Sequence, residues 1–121
     1  MIAGIYNILC EQGTTFGRTF EIQYPDPDEP TTFYPYDLTA HTARMQVRRT
    51  IESSTVIIEL TTENGGIEID EDLGKITVTM TDAQTGALTS SGVYDLEIED
   101  ANGNVSRVVQ GTFTLSLEVT R

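Results

Sequence analysis

Between Val93 and Val119 apolar and polar positions alternate. Tyr94, Leu96 and Ile98 are separated by Asp95, Glu97 and Glu99. After Asn102-Gly103, Val105, Val109, Phe113, Leu115, Leu117 and Val119 interleave with Ser106, Gln110, Thr112, Thr114, Ser116 and Glu118. A period of two around Asn-Gly predicts an antiparallel hairpin of long strands, each with one buried and one wet face. A two-residue Asn102-Gly103 loop sets Leu96 opposite Val109 and Tyr94 opposite Gly111, an aromatic covering a bare backbone. It also sets Arg107 opposite Ile98 on the apolar face, where the side chain must snorkel to water from the hairpin end.

The same alternation recurs upstream. Ile5 to Glu11 reads as a strand with Tyr6, Ile8 and Cys10 on one face. Thr14 to Tyr24 reads as a second, with Phe16, Phe20 and Ile22 together. Arg18 shares that second face and breaks the pattern, so either it reaches past the sheet edge or the strand bulges near Gly17. Ala43, Met45 and Val47 alternate with Arg44, Gln46 and Arg48 in a strand with a basic outer face. Val56, Ile58 and Leu60 make the next strand, Ile67 and Ile69 a short one. In Lys75 to Met80, Ile76, Val78 and Met80 point inward.

Two segments depart from this rhythm. Residues 25–36 begin Pro25-Asp26-Pro27-Asp28-Glu29-Pro30. Proline removes ladder donors and the acids repel, so this is expected to be a long surface loop. Thr81 and Gln84 form the capping-box pattern Thr-x-x-Gln and predict one short helix near 81–88, with Ala83, Ala87 and Leu88 facing the core and Gly86 keeping it short. About eight short strands at even spacing and no crossover helices predict an all-β fold. The expected architecture is a single domain over residues 1–121, an antiparallel β-sandwich or partly open barrel.

A chain of 121 residues suits one core, and 38% apolar residues suffice where each sheet has a solvated face. Seven Lys and Arg against 19 Asp and Glu give a formal net charge of −12. Such a field favours solubility and resistance to self-association, permits basic protein partners or cations, and disfavours nucleic acid and anionic membranes as partners. Apolar runs fall far short of a membrane span, and Met1-Ile2-Ala3-Gly4 lacks a signal-peptide pattern, so synthesis in a cytoplasm is expected.

Chemistry is sparsely provided for. Cys10 is the sole cysteine and His41 the sole histidine, too few for a zinc site or a nucleophile–base pair with any sequence support. Asp26, Asp28 and Glu29, like Glu68, Asp70, Glu71 and Asp72, lack calcium-loop spacing. Asp100 to Asn104 lacks the later bidentate glutamate. Asp95, Glu97 and Glu99 lie roughly 7 Å apart on one strand face, a spacing common to any acidic strand. No phosphate loop or nucleophile elbow is present. The expectation is no catalytic residue, no metal and no cofactor.

Two surfaces stand out. Arg44, Arg48 and Arg49 concentrate positive charge in an acidic chain. They either pair with acids across the sheet or form a docking surface. Phe33, Tyr34 and Tyr36 flank Pro35 and either cap the core or form an exposed contact patch.

Several phrases together resemble a family of small tailed-phage virion proteins. They are Tyr6-Asn7-Ile8 with Glu11-Gln12-Gly13-Thr14-Thr15-Phe16, then Asp37-Leu38-Thr39-Ala40-His41-Thr42-Ala43-Arg44-Met45-Gln46-Val47-Arg48, with Ala40-His41 where Gly-Tyr is usual. Leu60 to Ile67, Val93 to Glu97 and Gly111 to Arg121 are also similar. The pattern resembles the immunoglobulin-like N-terminal domain of phage upper baseplate proteins. That resemblance implies a virion component, assembled in the host cytoplasm, that adapts a tail fibre to the baseplate. Its implied partners are other tail, baseplate or fibre proteins, with a homo-oligomer in the particle as a further possibility. The alternatives are a head decoration or connector protein and, in another class, a carbohydrate-binding module, which absence of Trp disfavours. The long 25–36 loop departs from compact members.

Overall fold

A computed structural model describes residues 3–120. Within them the chain forms β1 (Gly4–Ile5), β2 (Ile8–Glu11), β3 (Phe16–Glu21), β4 (Gln23–Pro25) and β5 (Phe33–Pro35). There follow β6 (Thr42–Arg48), β7 (Val56–Thr61), β8 (Ile67–Asp70), β9 (Lys75–Met80), the helical turn α1 (Asp82–Gly86), β10 (Gly92–Glu99) and β11 (Val105–Ser116). The fold is all-β and sandwich-like. The larger sheet runs β1-β11-β10-β6-β7, with β2 also on β11, and the smaller runs β3-β9-β8.

Period-two alternation builds the space between these sheets. Ile8 and Cys10, Phe113 and Leu115, Tyr94, Leu96 and Ile98, Ala43, Met45 and Val47, and Leu60 line the larger sheet's inner face. Phe16, Phe20, Ile67, Ile76, Val78 and Met80 answer from the smaller sheet. Burying that apolar area drives the two layers together. Phe16 and Phe113 meet across the layers at 6.4 Å between ring centroids.

The first predicted strand is two. β1 and β2 both run parallel to β11, pairing at Val109–Gln110 and at Phe113–Ser116. Between them Tyr6 and Asn7 cross over Gly111. The Tyr6 amide donates to the Gln110 carbonyl, and the Asn7 side chain accepts from the Thr112 amide. Tyr6 therefore leaves the expected buried face and is exposed. The second predicted strand also breaks, at buried Ile22, into β3 and β4. Its β3 part pairs with β9 without a bulge at Gly17. Arg18 instead reaches out, its guanidinium 4.8 Å from the Phe16 ring and bonded to the Leu9 carbonyl at 3.0 Å.

The terminal hairpin has a different register from the one expected near its tip. Its loop is Ala101-Asn102-Gly103, closed by the Asp100 amide on the Asn104 carbonyl, with Gly103 at φ 83°. This is the three-residue hairpin loop with a left-handed third residue. It places Arg107 opposite Glu97, and Val108 is then the extra residue of a bulge. Beyond the bulge the expected pairs Leu96–Val109 and Tyr94–Gly111 hold. The strand ends at Ser116, so Leu117 and Val119 lie outside it, exposed.

The capping box of α1 is formed: Thr81 Oγ1 accepts from the Gln84 amide at 3.1 Å, and Gln84 Oε1 accepts from the Thr81 amide at 2.8 Å. The inward face is the predicted one only at Leu88. Thr85 and Leu88 are buried while Ala83 and Ala87 are exposed. The Thr85 hydroxyl donates to the Thr14 carbonyl at 2.7 Å, and this bond sets the rotation of the turn.

Candidate functional site

The predicted surface loop at 25–36 keeps its loop over residues 26–32, and two short strands at its base close it into a ribbon. β4 and β5 pair with Tyr24 opposite Tyr34, and all six of their residues are exposed. Asp26 pins its tip. One carboxylate oxygen accepts the amides of Asp28 and Glu29, and the other accepts the Tyr34 hydroxyl at 2.7 Å. These bonds, the Tyr34 hydroxyl foremost, hold the Asp26 carboxyl below its ordinary range. The Asp26 amide reaches the Thr32 carbonyl and the Thr32 amide the Glu29 carbonyl.

The ribbon's root is clamped. The Ile22 amide donates to the Gly74 carbonyl, and the Tyr36 amide to the Ile22 carbonyl. Gly74 has φ 63°, and an added Cβ would lie 2.6 Å from the Ile22 carbonyl oxygen. Tyr36 packs against the core, whereas Phe33 and Tyr34 stay open at 53% and 40% exposure. The three aromatics thus divide between the two readings of the sequence.

Arg44 and Arg48 lie together on the outer face of β6, the larger sheet's solvent side. Arg44 bonds Glu97 at 3.1 Å. Arg48 has no carboxylate partner among the described residues. It donates to Gln46 and, at 2.6 Å, to the Ser53 carbonyl. Arg49 sits beyond the strand end and is exposed. The hairpin bulge adds Arg107, which bonds Asp95 at 3.3 Å. Sequence reasoning missed Arg107 because it assumed a two-residue loop. Asp100, whose carboxylate caps the Asn102 and Asn104 amides, was the overlooked signal for a longer one.

Arg44, Arg48 and Arg107 line a cleft of about 600 Å³, with Gln46, Asp95 and Gln110 between them. Ile5 and Ile51 form its apolar walls, exposed at 77% and 82%. Burial, with Glu97 beside it, pushes the Asp95 carboxyl up against the pull of Arg107, Arg48 and Arg44. Both cleft ion pairs are partly exposed, which makes each worth about 0–1 kcal/mol. Arg44 and Arg107 are thus held by weak ties, whereas Arg48 is held by its bonds to Gln46 and the Ser53 carbonyl.

Cys10 is fully buried on β2, and burial pushes its thiol up. His41 lies edge-on to Tyr36, with Nδ1 on the Thr39 carbonyl. Among the described residues no three Cys, His or carboxylate groups gather as a metal site. No helix among them is long and apolar enough to cross a membrane.

Compared with known protein families and with curated proteins, the chain matches none.

Proposed function

We propose that this chain is a non-enzymatic assembly component of a tailed-phage virion, an adaptor that joins a tail fibre to the baseplate. The observation that carries this reading is the sequence resemblance running through Asp37–Arg48 and four further segments. The sandwich agrees with it, its first strands parallel to its last as in an immunoglobulin-like module. The arginine cleft and the clamped ribbon supply two protruding or recessed surfaces for protein contact. The edge strand β7 offers a third, although the Asn64 side chain already takes the Thr61 amide and the Glu59 carbonyl.

The test is location. Antibodies against this chain, applied to phage particles purified from cells that make it, are expected to label the tail tip. Labelling along the capsid assigns the chain to head decoration or the connector instead. Particles without the label, together with clean binding on a glycan array, remove the virion reading.

A further inference from the structure

We propose that the arginine cleft is the receptor for the acidic tip of the β4–β5 ribbon of a second copy, so that the chain assembles head to tail. This goes beyond the virion reading and does not depend on it. Four observations carry it.

Within its own lining the cleft is short of one negative charge, while Arg44 and Glu97 also border a neighbouring recess that carries Glu59, Glu63 and Glu99. Three guanidinium groups, Arg44, Arg48 and Arg107, face two paired carboxylates, Glu97 and Asp95. Arg48 holds only neutral partners among the described residues. A recess with surplus positive charge, in a chain of net charge −12, selects an anionic occupant.

The ribbon tip is such an occupant. Asp28 and Glu29 are exposed at its end, and no ion pair engages either among the described residues. Exposed Tyr24, Phe33 and Tyr34 lie behind them. The cleft's exposed Ile5 and Ile51 provide matching apolar surface. Acid thus meets arginine, and aromatic meets aliphatic.

The tip is also rigid in advance. Asp26 folds it, and the Ile22–Gly74–Tyr36 bonds fix its root. A preordered finger loses little conformational entropy on docking. A disordered acidic loop would forfeit that advantage.

Finger and cleft do not meet within one chain. Neither Asp28 nor Glu29 bonds any cleft arginine or lines the cleft. Each copy therefore offers one free donor surface and one free acceptor surface. Such a heterologous contact propagates, closing into a ring or running on as a filament according to its rotation. The like net charges of two copies oppose this contact, and at physiological salt the screening length of about 8 Å confines that opposition to charges near the contact.

The test uses the full chain and two double variants, with sedimentation and light scattering across a concentration series. The cleft variant is Arg44→Glu with Arg48→Glu, and the finger variant is the neutral Asp28→Asn with Glu29→Gln, which has no attraction for a cleft of glutamates. Wild type is expected to form species larger than a dimer as concentration rises. Each variant alone is expected to associate at least about tenfold more weakly, one broken charge contact being sufficient for that factor. A mixture is expected to give a one-to-one heterodimer and nothing larger, because only one intact finger and one intact cleft remain to pair. Circular dichroism of each variant confirms its fold. Should the cleft variant unfold, the finger variant with added wild type still decides, since it must cap chain growth. A wild type that stays monomeric, a variant that associates like wild type, or a mixture without heterodimer overturns the proposal.

Discussion

The hydroxyl of Tyr94 donates a hydrogen bond to the carbonyl oxygen of Tyr6 at 2.6 Å. It ties the middle of the larger sheet to the break between β1 and β2. That break is where the first strand leaves β11 to pass over Gly111, so the bond closes the sheet at its weakest point. Tyr94→Phe is expected to cost about 1 kcal/mol, the net worth of one hydrogen bond whose acceptor can still find water. Urea unfolding at neutral pH measures it, with an unchanged slope showing that only stability moved. Burial also pushes the Tyr94 phenol above its ordinary value of 10.0. The folded chain therefore holds that proton more tightly than the unfolded chain. Stability is expected to fall as pH climbs above 10, and Tyr94→Phe is expected to flatten that alkaline slope.

Gly111→Ala attacks the same seam from below. An added Cβ would lie 2.3 Å from the Tyr6 carbonyl oxygen, which is backbone and cannot rotate away. The expected cost is about 1–3 kcal/mol or more, the range for forced overpacking. Gly17→Ala is the control, because its nearest neighbours lie 4.0 Å off. Hydrogen exchange is expected to show the Tyr6 amide losing protection in Gly111→Ala and keeping it in Gly17→Ala. Equal protection in both would show that the crossing chain yields without strain.

What was readable in the sequence followed from period two, and what was missed followed from local chain irregularity. The inner faces of β6, β9 and β10 are those the alternation names, because one face of each meets the opposing sheet. Arg44 and Arg48 were legible as outward for the same reason. Arg107 was not. Two one-residue irregularities, the longer loop and the Val108 bulge, cancel beyond the bulge and leave the register shifted at Glu97–Arg107, Ile98–Ser106 and Glu99–Val105. A slip of one residue exchanges the faces of a strand. Similarly, Pro25, Pro27 and Pro30 marked residues 25–36 as surface, but the Asp26 bonds that order the tip beyond the Tyr24–Tyr34 pair are not revealed by spacing. The inward face of α1 was misread at Ala83 and Ala87 because a buried hydroxyl, Thr85, sets it in place of the alanines.

Ala40 is the one non-glycine residue with positive φ among the described residues, at 58°. The left-handed region costs an L-residue roughly 1–2 kcal/mol, and glycine's added freedom in the unfolded chain returns about 0.4–1 kcal/mol of that. Ala40→Gly is therefore expected to stabilise the chain by up to about 1 kcal/mol, seen as a higher urea midpoint. A lower midpoint would mean that the turn after Leu38 is held by contacts stronger than its backbone strain.

Acid pH separates two kinds of carboxylate. Asp26, Asp37 and Asp100 lie below the ordinary 3.8. The Tyr34 hydroxyl, the Thr39 hydroxyl and the Asn104 amide are the respective leading causes. Each contributes stability that is present above 3.8 and lost as pH falls through its folded value. Asp95 has the opposite sign, because burial and Glu97 raise it. The folded chain takes up that proton first, so Asp95 adds stability as pH falls from its raised value towards 3.8. Against wild type, Asp26→Asn, Asp37→Asn and Asp100→Asn together are expected to flatten the loss below 3.8. Asp95→Asn is expected to remove the gain above it. Urea midpoints measured at a series of pH values read both windows, and the two variants must differ in which window they change. If the triple variant alters only the upper window, the turn carboxylates do not govern the acid limb, and the order of the Asp26 tip has some other source.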